Sequence, residues 1–140
     1  MPTKKYQLLE HTADIYVRIY GKTLKELFRN AAAALFDIIA KKKHGKAPKP
    51  KVLNMKLSAE NPEELLISWL AELLSLSEAK DLIFNKFKIV SLTNNKIEAT
   101  VSGVKRENFL IKTEIKAATY HELKIDKVKN GYEAEVIFDV

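Results

Sequence analysis

The stretch Ile15-Tyr16-Val17-Arg18-Ile19-Tyr20-Gly21-Lys22-Thr23-Leu24-Lys25-Glu26-Leu27-Phe28 decides the fold. Within it the spacing of apolar residues changes from two to about 3.6. Ile15, Val17 and Ile19 alternate with Tyr16, Arg18 and Tyr20, the period of a strand with one buried face. Gly21-Lys22 breaks the strand, and Thr23-x-x-Glu26 forms a capping box that starts a helix. Leu24, Leu27, Phe28, Ala31, Leu35, Ile38 and Ile39 then make a helical stripe suited to packing on a sheet. The stripe stops at Lys41–Lys43, whose charges suit a helix C-terminus.

Downstream, Leu53, Met55 and Leu57 alternate with Asn54, Lys56 and Ser58 as a further strand. Asn61-Pro62-Glu63-Glu64 supplies a cap, a first-turn proline and first-turn acids. Leu65, Leu66, Trp69, Leu70, Leu73, Leu74 and Leu76 follow as the apolar face of a second helix, read as core. Residues 82–92 are β-rich, Asn94-Asn95 suits a turn, and Ile97, Ala99 and Val101 complete a hairpin. Residues 109–119 fit either strand or helix, with a slight lean to helix over Lys112–Ala118. Leu123 and Ile125 alternate, Asn130-Gly131 predicts a type I′ turn, and Tyr132–Phe138 returns as the last strand. The expected architecture is a single α+β domain over residues 1–140, a largely antiparallel sheet packed by two main amphipathic helices.

Composition narrows the function classes. The chain has no cysteine, which removes disulfides, thiolate metal sites and cysteine nucleophiles. No apolar run approaches a membrane span and no leader-like apolar segment opens the chain, so a cytoplasmic protein is expected. The net charge of +6 favours acidic partners, RNA among them. Much of the lysine falls in residues 41–51, a basic segment without aromatics that reads as a flexible solvated loop. The four glycines are scattered, so no phosphate-cradling loop is present, and neither Gly-x-Ser-x-Gly nor paired His-x-Thr/Ser motifs occur.

The acidic residues are better candidates. Glu10-His11-Thr12-Ala13-Asp14 precedes the first long strand, and Phe138-Asp139-Val140 follows the last. If those ends converge, their oxygens suit a hard cation such as Ca²⁺ or Mg²⁺. Taken singly, Asp14 and Asp139 also read as exposed strand-end acids. His11 reads equally as a partly buried imidazole or an orienter of Asp14, and Thr119-Tyr120-His121 as a hydrogen-bonded turn.

Five ordered segments carry a resemblance over essentially the whole chain. They are His11-Thr12-Ala13-Asp14-Ile15, Gly21-x-Thr23-Leu24-x-Glu26-Leu27-Phe28-x-Asn30-Ala31-Ala32, Leu65-Leu66-x-x-Trp69-Leu70-x-Glu72-Leu73-Leu74, Ile115-Lys116-Ala117-x-Thr119-Tyr120-His121 and Phe138-Asp139-Val140. Together they resemble the archease family, with Ala71 and Ala118 standing where Asn and Val are common. The resemblance implies a non-enzymatic, metal-binding accessory protein of an RtcB-type RNA ligase that joins tRNA halves. It implies a metal site at Asp14, Asp139 and Val140, the last through main-chain oxygens, with calcium expected and magnesium or manganese as alternatives. His11, Thr12 and His121 take supporting roles. Alternative roles are a chaperone or specificity modulator of a tRNA-modifying methyltransferase, and a basic RNA-binding module.

Overall fold

The computed structural model describes residues 5–9, 14–45, 48–119 and 123–140. Its strands do not form one sheet. They divide into three, and the helices lie between the two larger ones.

The first sheet is built from β1 (Tyr6–Leu9), β2 (Asp14–Gly21), β8 (Ala117–Thr119), β9 (Ile125–Val128) and β10 (Gly131–Asp139). Its order is β1-β2-β10-β8, with β9 also on β10, and every pairing is antiparallel. The second large sheet, β4-β6-β5, contains β4 (Lys51–Ser58), β5 (Leu82–Leu92) and β6 (Lys96–Lys105). A two-stranded ribbon pairs β3 (Ala40–Lys42) with β7 (Phe109–Ile111), and a 3₁₀ turn at Arg106–Asn108 precedes β7.

Helix α1 (Leu24–Ile39) starts as its sequence predicts: the Glu26 amide donates to Thr23 Oγ1 at 3.1 Å. The return bond from Glu26 Oε1 reaches the Lys22 amide at 3.2 Å, one residue ahead of the cap. Beyond the expected stripe, Ala32, Ala34 and Phe36 are also buried, because α1 packs on β2 on one side and β5 on the other. Small alanines let two sheets approach one helix. Asn30, 3% exposed, is accommodated in this apolar setting by donating from Nδ2 to the Tyr20 carbonyl at 2.7 Å, which ties α1 to the end of β2.

Helix α2 (Pro62–Lys80) has the predicted Asn61 cap, accepting from the Glu64 amide at 2.8 Å. Trp69 is fully buried, and its indole donates to the Phe28 carbonyl at 3.0 Å, joining the two helices. Phe84, Phe36, Phe87 and Trp69 form, in that order, a chain of ring contacts between the helices and β5, with centroid separations of 5.6, 6.0 and 6.5 Å. Leu76 is only partly buried, whereas Ser77 is fully enclosed. Its hydroxyl donates to the Leu82 carbonyl and accepts from Arg106 Nη2 at 3.0 Å, so a polar group closes the end of α2.

Three local expectations are corrected. The lean to helix over Lys112–Ala118 fails: after β7 ends at Ile111, residues 112–116 are irregular and β8 begins at Ala117. The Lys112 and Thr113 amides both donate to the Ile39 carbonyl, at 2.7 and 3.2 Å, and the Lys116 amide donates to the Asp139 carbonyl at 2.8 Å. Those tertiary bonds take donors that a helix would use internally. The type I′ turn at Asn130-Gly131 is shifted by one residue. Val128 faces Gly131, so Lys129-Asn130 is the loop, and neither has the positive φ that a I′ turn needs. Gly131 itself sits at φ 147°, and a β-carbon there would strike the Gly21 carbonyl. Finally, Lys41 and Lys42 do not cap α1. The helix ends at Ile39 and the lysines continue as β3, opposite Leu110 and Phe109, while Lys51 begins β4.

Candidate metal centre

The convergence expected from the chain's two ends is present. β2 and β10 pair in register over their whole length, and the last pair in that ladder is Asp14 opposite Asp139. Residues directly opposite in an antiparallel pair share a face, so the two carboxylates leave the sheet on the same side, with β-carbons roughly 5 Å apart. On the other side of Asp139 stands Ala117, the first residue of β8.

The face is set by alternation. Val17, Ile19, Val136 and Phe138 point into the core and are fully buried. Asp14, Tyr16, Arg18 and Tyr20 of β2, with Glu133, Glu135, Ile137 and Asp139 of β10, form the opposite face and are half-buried or exposed. Farther along this face the acids have a cationic neighbour. Arg18 Nε lies 3.2 Å from Glu133 Oε1, though not aligned to donate to it, and Arg18 Nη2 lies 4.0 Å from Glu135. The Arg18 guanidinium is held above its ordinary pKa, first by its hydrogen bond with Tyr20, with Glu135 and Glu133 adding charge attraction against some desolvation.

Among the described residues, no ion pair reaches Asp14 or Asp139. Like charges directly opposite across a ladder are unfavourable. A bound divalent cation would reverse that sign, and hard carboxylate oxygens are the donors calcium and magnesium prefer. The donor set therefore fits such an ion. Val140, adjoining Asp139 and 46% exposed, can add main-chain oxygens. Among the described residues, no three His, Cys, Asp or Glu side chains gather as a self-sufficient metal cluster. Two carboxylates fall short of the six to eight oxygens of a typical calcium shell, so main-chain oxygens and water would make up the rest.

Of the residues expected to support the site, His11, Thr12 and His121 lie outside the described residues, as do residues 46–47 of the basic segment. Thr119 is described: it pairs with Ile137, and its hydroxyl donates to the Ile137 carbonyl at 3.3 Å. Ala117 is the neighbour that residue-by-residue reading passes over. Its only signal in the sequence is its place in the Ile115–His121 segment. Ala71 is exposed and Ala118 is buried against the core. None of the described helices is long and apolar enough to cross a membrane.

Comparison with known proteins gives a consistent result. The archease protein family profile matches residues 6–140. A protein archease of Methanosarcina acetivorans is 40% identical, covering 98% of this chain and 97% of its own. One from Pyrococcus abyssi is 36% identical over 98% of this chain and 99% of its own. The solution structure of Methanobacterium thermoautotrophicum protein 1598 superposes with a TM-score of 0.76 at 27% identity, covering 99% of this chain and all of that one. A crystal structure from Thermotoga maritima, described as an archease and possible chaperone, gives 0.66 at 22% identity over 100% and 98% of the two chains, a likeness of fold.

Proposed function

This chain belongs to the archease family, and on that premise we propose that it is a non-enzymatic accessory protein of an RtcB-type tRNA-splicing RNA ligase. It promotes guanylylation of the ligase and multiple turnover, and its working end is the divalent-metal site at Asp14 and Asp139. The observation that carries this reading is the Asp14–Asp139 pair, two carboxylates held face to face in register with no described cationic partner. Asp14 and Asp139 would hold the ion, calcium in the first instance, with main-chain oxygens of Val140. When bound, the ion supplies positive charge that can orient phosphate oxygens.

The chain's own contribution is placement. β2 and β10 fix the carboxylates on rigid strands rather than on loops, at one end of a sheet whose inner face is locked to α1. Glu133 and Glu135 continue the acidic character away from that end, where Arg18 offsets them. Nothing in this arrangement requires a covalent step by the chain itself.

The test is a guanylylation assay with a cognate RtcB-type ligase, GTP and divalent cation, with this protein at substoichiometric levels. Faster ligase guanylylation that Asp14→Ala and Asp139→Ala abolish without unfolding would support the reading. Full stimulation by both folded variants would refute the role of the metal site. No stimulation by the folded wild-type protein would refute the ligase role and favour a chaperone or specificity modulator of a tRNA-modifying methyltransferase.

A further inference from the structure

The two large sheets present their outer faces on opposite sides of the helix layer, and those faces carry opposite charge. On the first sheet the strand residues Asp14, Asp126, Glu133, Glu135 and Asp139 face outward with one cation among them, Arg18. On the β4-β6-β5 sheet the core side is fixed by Met55, Ile97, Ala99 and Val101. Alternation therefore sends Lys56, Lys86, Lys88 and Lys96 to the outer side, with Glu98 the single acid.

The register places these lysines. Lys86 stands opposite Ser102 and Lys88 opposite Thr100 on the β5 edge. Lys96 lies at the far end of the central strand, and Lys56 opposite Glu98 on the β4 edge. They form a diagonal band about 20 Å long, given the rise per strand residue. Lys56 is 3.7 Å from Glu98 with its side chain 80% exposed, so that acid is already offset. Among the described residues, Lys86, Lys88 and Lys96 have no ion pair. At the Lys96 end the band runs into a hollow of about 380 Å³ bordered by Lys56, Ser58, Ser91, Lys96 and Glu98.

We propose that the outer face of the β4-β6-β5 sheet is a docking surface for the phosphate backbone of RNA. Four lysines beside Ser102 give point charges and a hydroxyl donor, the groups that phosphate oxygens accept from, while the Thr100 hydroxyl donates to Asn54 Oδ1 at 3.1 Å. A protein partner would be expected to find an aromatic or apolar centre with lysine depleted, whereas this face is rich in lysine and polar along its central strand, with the exposed Val52 confined to the β4 edge. Contacts to phosphate rather than to base edges make the binding independent of base sequence, and unlike residues 41–51 these lysines are fixed on paired strands. The acidic face on the opposite side repels the same polyanion, so RNA is steered to one side of the molecule. This surface is separate from residues 41–51, and the inference does not depend on the ligase reading.

The test is fluorescence anisotropy of a labelled single-stranded RNA with the full chain, titrated at several salt concentrations, with polyglutamate as a second ligand. Four phosphate contacts predict a slope of log K against log salt of about −3, or about fiftyfold weaker binding between 50 and 200 mM salt. Lys86→Glu/Lys88→Glu should weaken binding at least about tenfold and roughly halve the slope. Lys86→Gln/Lys88→Gln should act in the same direction, with unchanged melting as a control for folding. Lys41→Glu/Lys42→Glu should bind like wild type. Equal affinity and slope in the β5 variants would overturn the proposal, as would loss of binding confined to the Lys41/Lys42 variant. Polyglutamate binding as tightly as RNA would assign the face to acidic protein and overturn it as well. Ligase guanylylation without RNA should be unchanged in the β5 variants, so this surface and the ligase role succeed or fail in separate assays.

Discussion

Replacing one of two facing carboxylates by its neutral isostere should act in opposite directions with and without a cation. Asp139→Asn keeps the shape of the side chain and removes one charge from the pair formed with Asp14. At roughly 5 Å, two like charges repel by about 0.8 kcal/mol in water and about 3 kcal/mol at an effective dielectric of 20. Measured cross-strand charge terms run to about 1 kcal/mol. Both carboxylates are half-buried, so about 1 kcal/mol is the working figure. In chelator the variant should therefore melt about 2–4 °C above wild type. Added salt should shrink that gap, because solvent-accessible charges are screened. With calcium at a hundred times its dissociation constant, wild type should gain about 2.7 kcal/mol, and the variant, with half the carboxylate donors, should gain much less. The order of the two melting curves should then invert. Differential scanning calorimetry with and without calcium reads both halves of the argument. A variant less stable than wild type in chelator would show that the pair is not repulsive. Equal calcium gains in the two proteins would show that Asp139 is no ligand.

Two further perturbations test the scaffold. Gly131→Ala combines a left-handed φ of 147° with a β-carbon driven into the Gly21 carbonyl, and should cost about 2–3 kcal/mol. A fall in Tm of about 5–10 °C is expected, and a change under 2 °C would show that the β9–β10 turn relaxes freely. The phenol of Tyr6 is held above its ordinary pKa first by burial, then by the charge of Asp37 and their 3.4 Å hydrogen bond. Its contribution to stability is complete below a pH of about 10 and lost as pH rises through the higher folded value. The stability difference between wild type and Tyr6→Phe, measured by urea denaturation, should shrink above that pH, and a flat difference would show that neither burial nor Asp37 holds the phenol above its ordinary pKa.

The elements that could be read from sequence are those whose signals are local. Thr23 and Asn61 mark helix starts with side chains that bond to amides three residues on, and both bonds form. The strand alternation at Ile15–Tyr20 and Lys96–Val101 also survives intact. What failed depended on distant partners. The run from Lys112 to Ala118 has helical spacing, yet its donors go to Ile39 and Asp139. The second buried side of α1 was hidden because Ala32 and Ala34 read as neutral until another sheet is placed over them. Strands β1 and β3 are too short to show a period.

The candidate site divides in the same way. Asp14 and Asp139 were each legible as strand-end acids, and their pairing was an expectation that only the β2–β10 register could establish. The lysines of the β4-β6-β5 face had no signal as a group. Lys86 and Lys88 lie on one strand, Lys56 and Lys96 on two others, and two irregularities in β5 decide which residues share a side. A composition count placed the positive charge in residues 41–51, where it is densest in sequence, rather than where the folded chain assembles it.

The central position of β10 also has a consequence for how the molecule is made. β10 lies between β2 and the pair β8 and β9, and it is synthesised after every other strand. On the ribosome, β4, β5 and β6 can pair with one another as soon as they emerge, because all their partners are local in the chain. β2 must wait with an open edge until β10 has been made. The carboxylate pair is completed by that same strand, at its last residue, Asp139. A nascent chain therefore exposes Asp14 without its counterpart until β10 has paired, and any cation bound by both carboxylates arrives only then. Binding would then act as a late lock on the first sheet, favouring chains that carry β10 over those cut short before it.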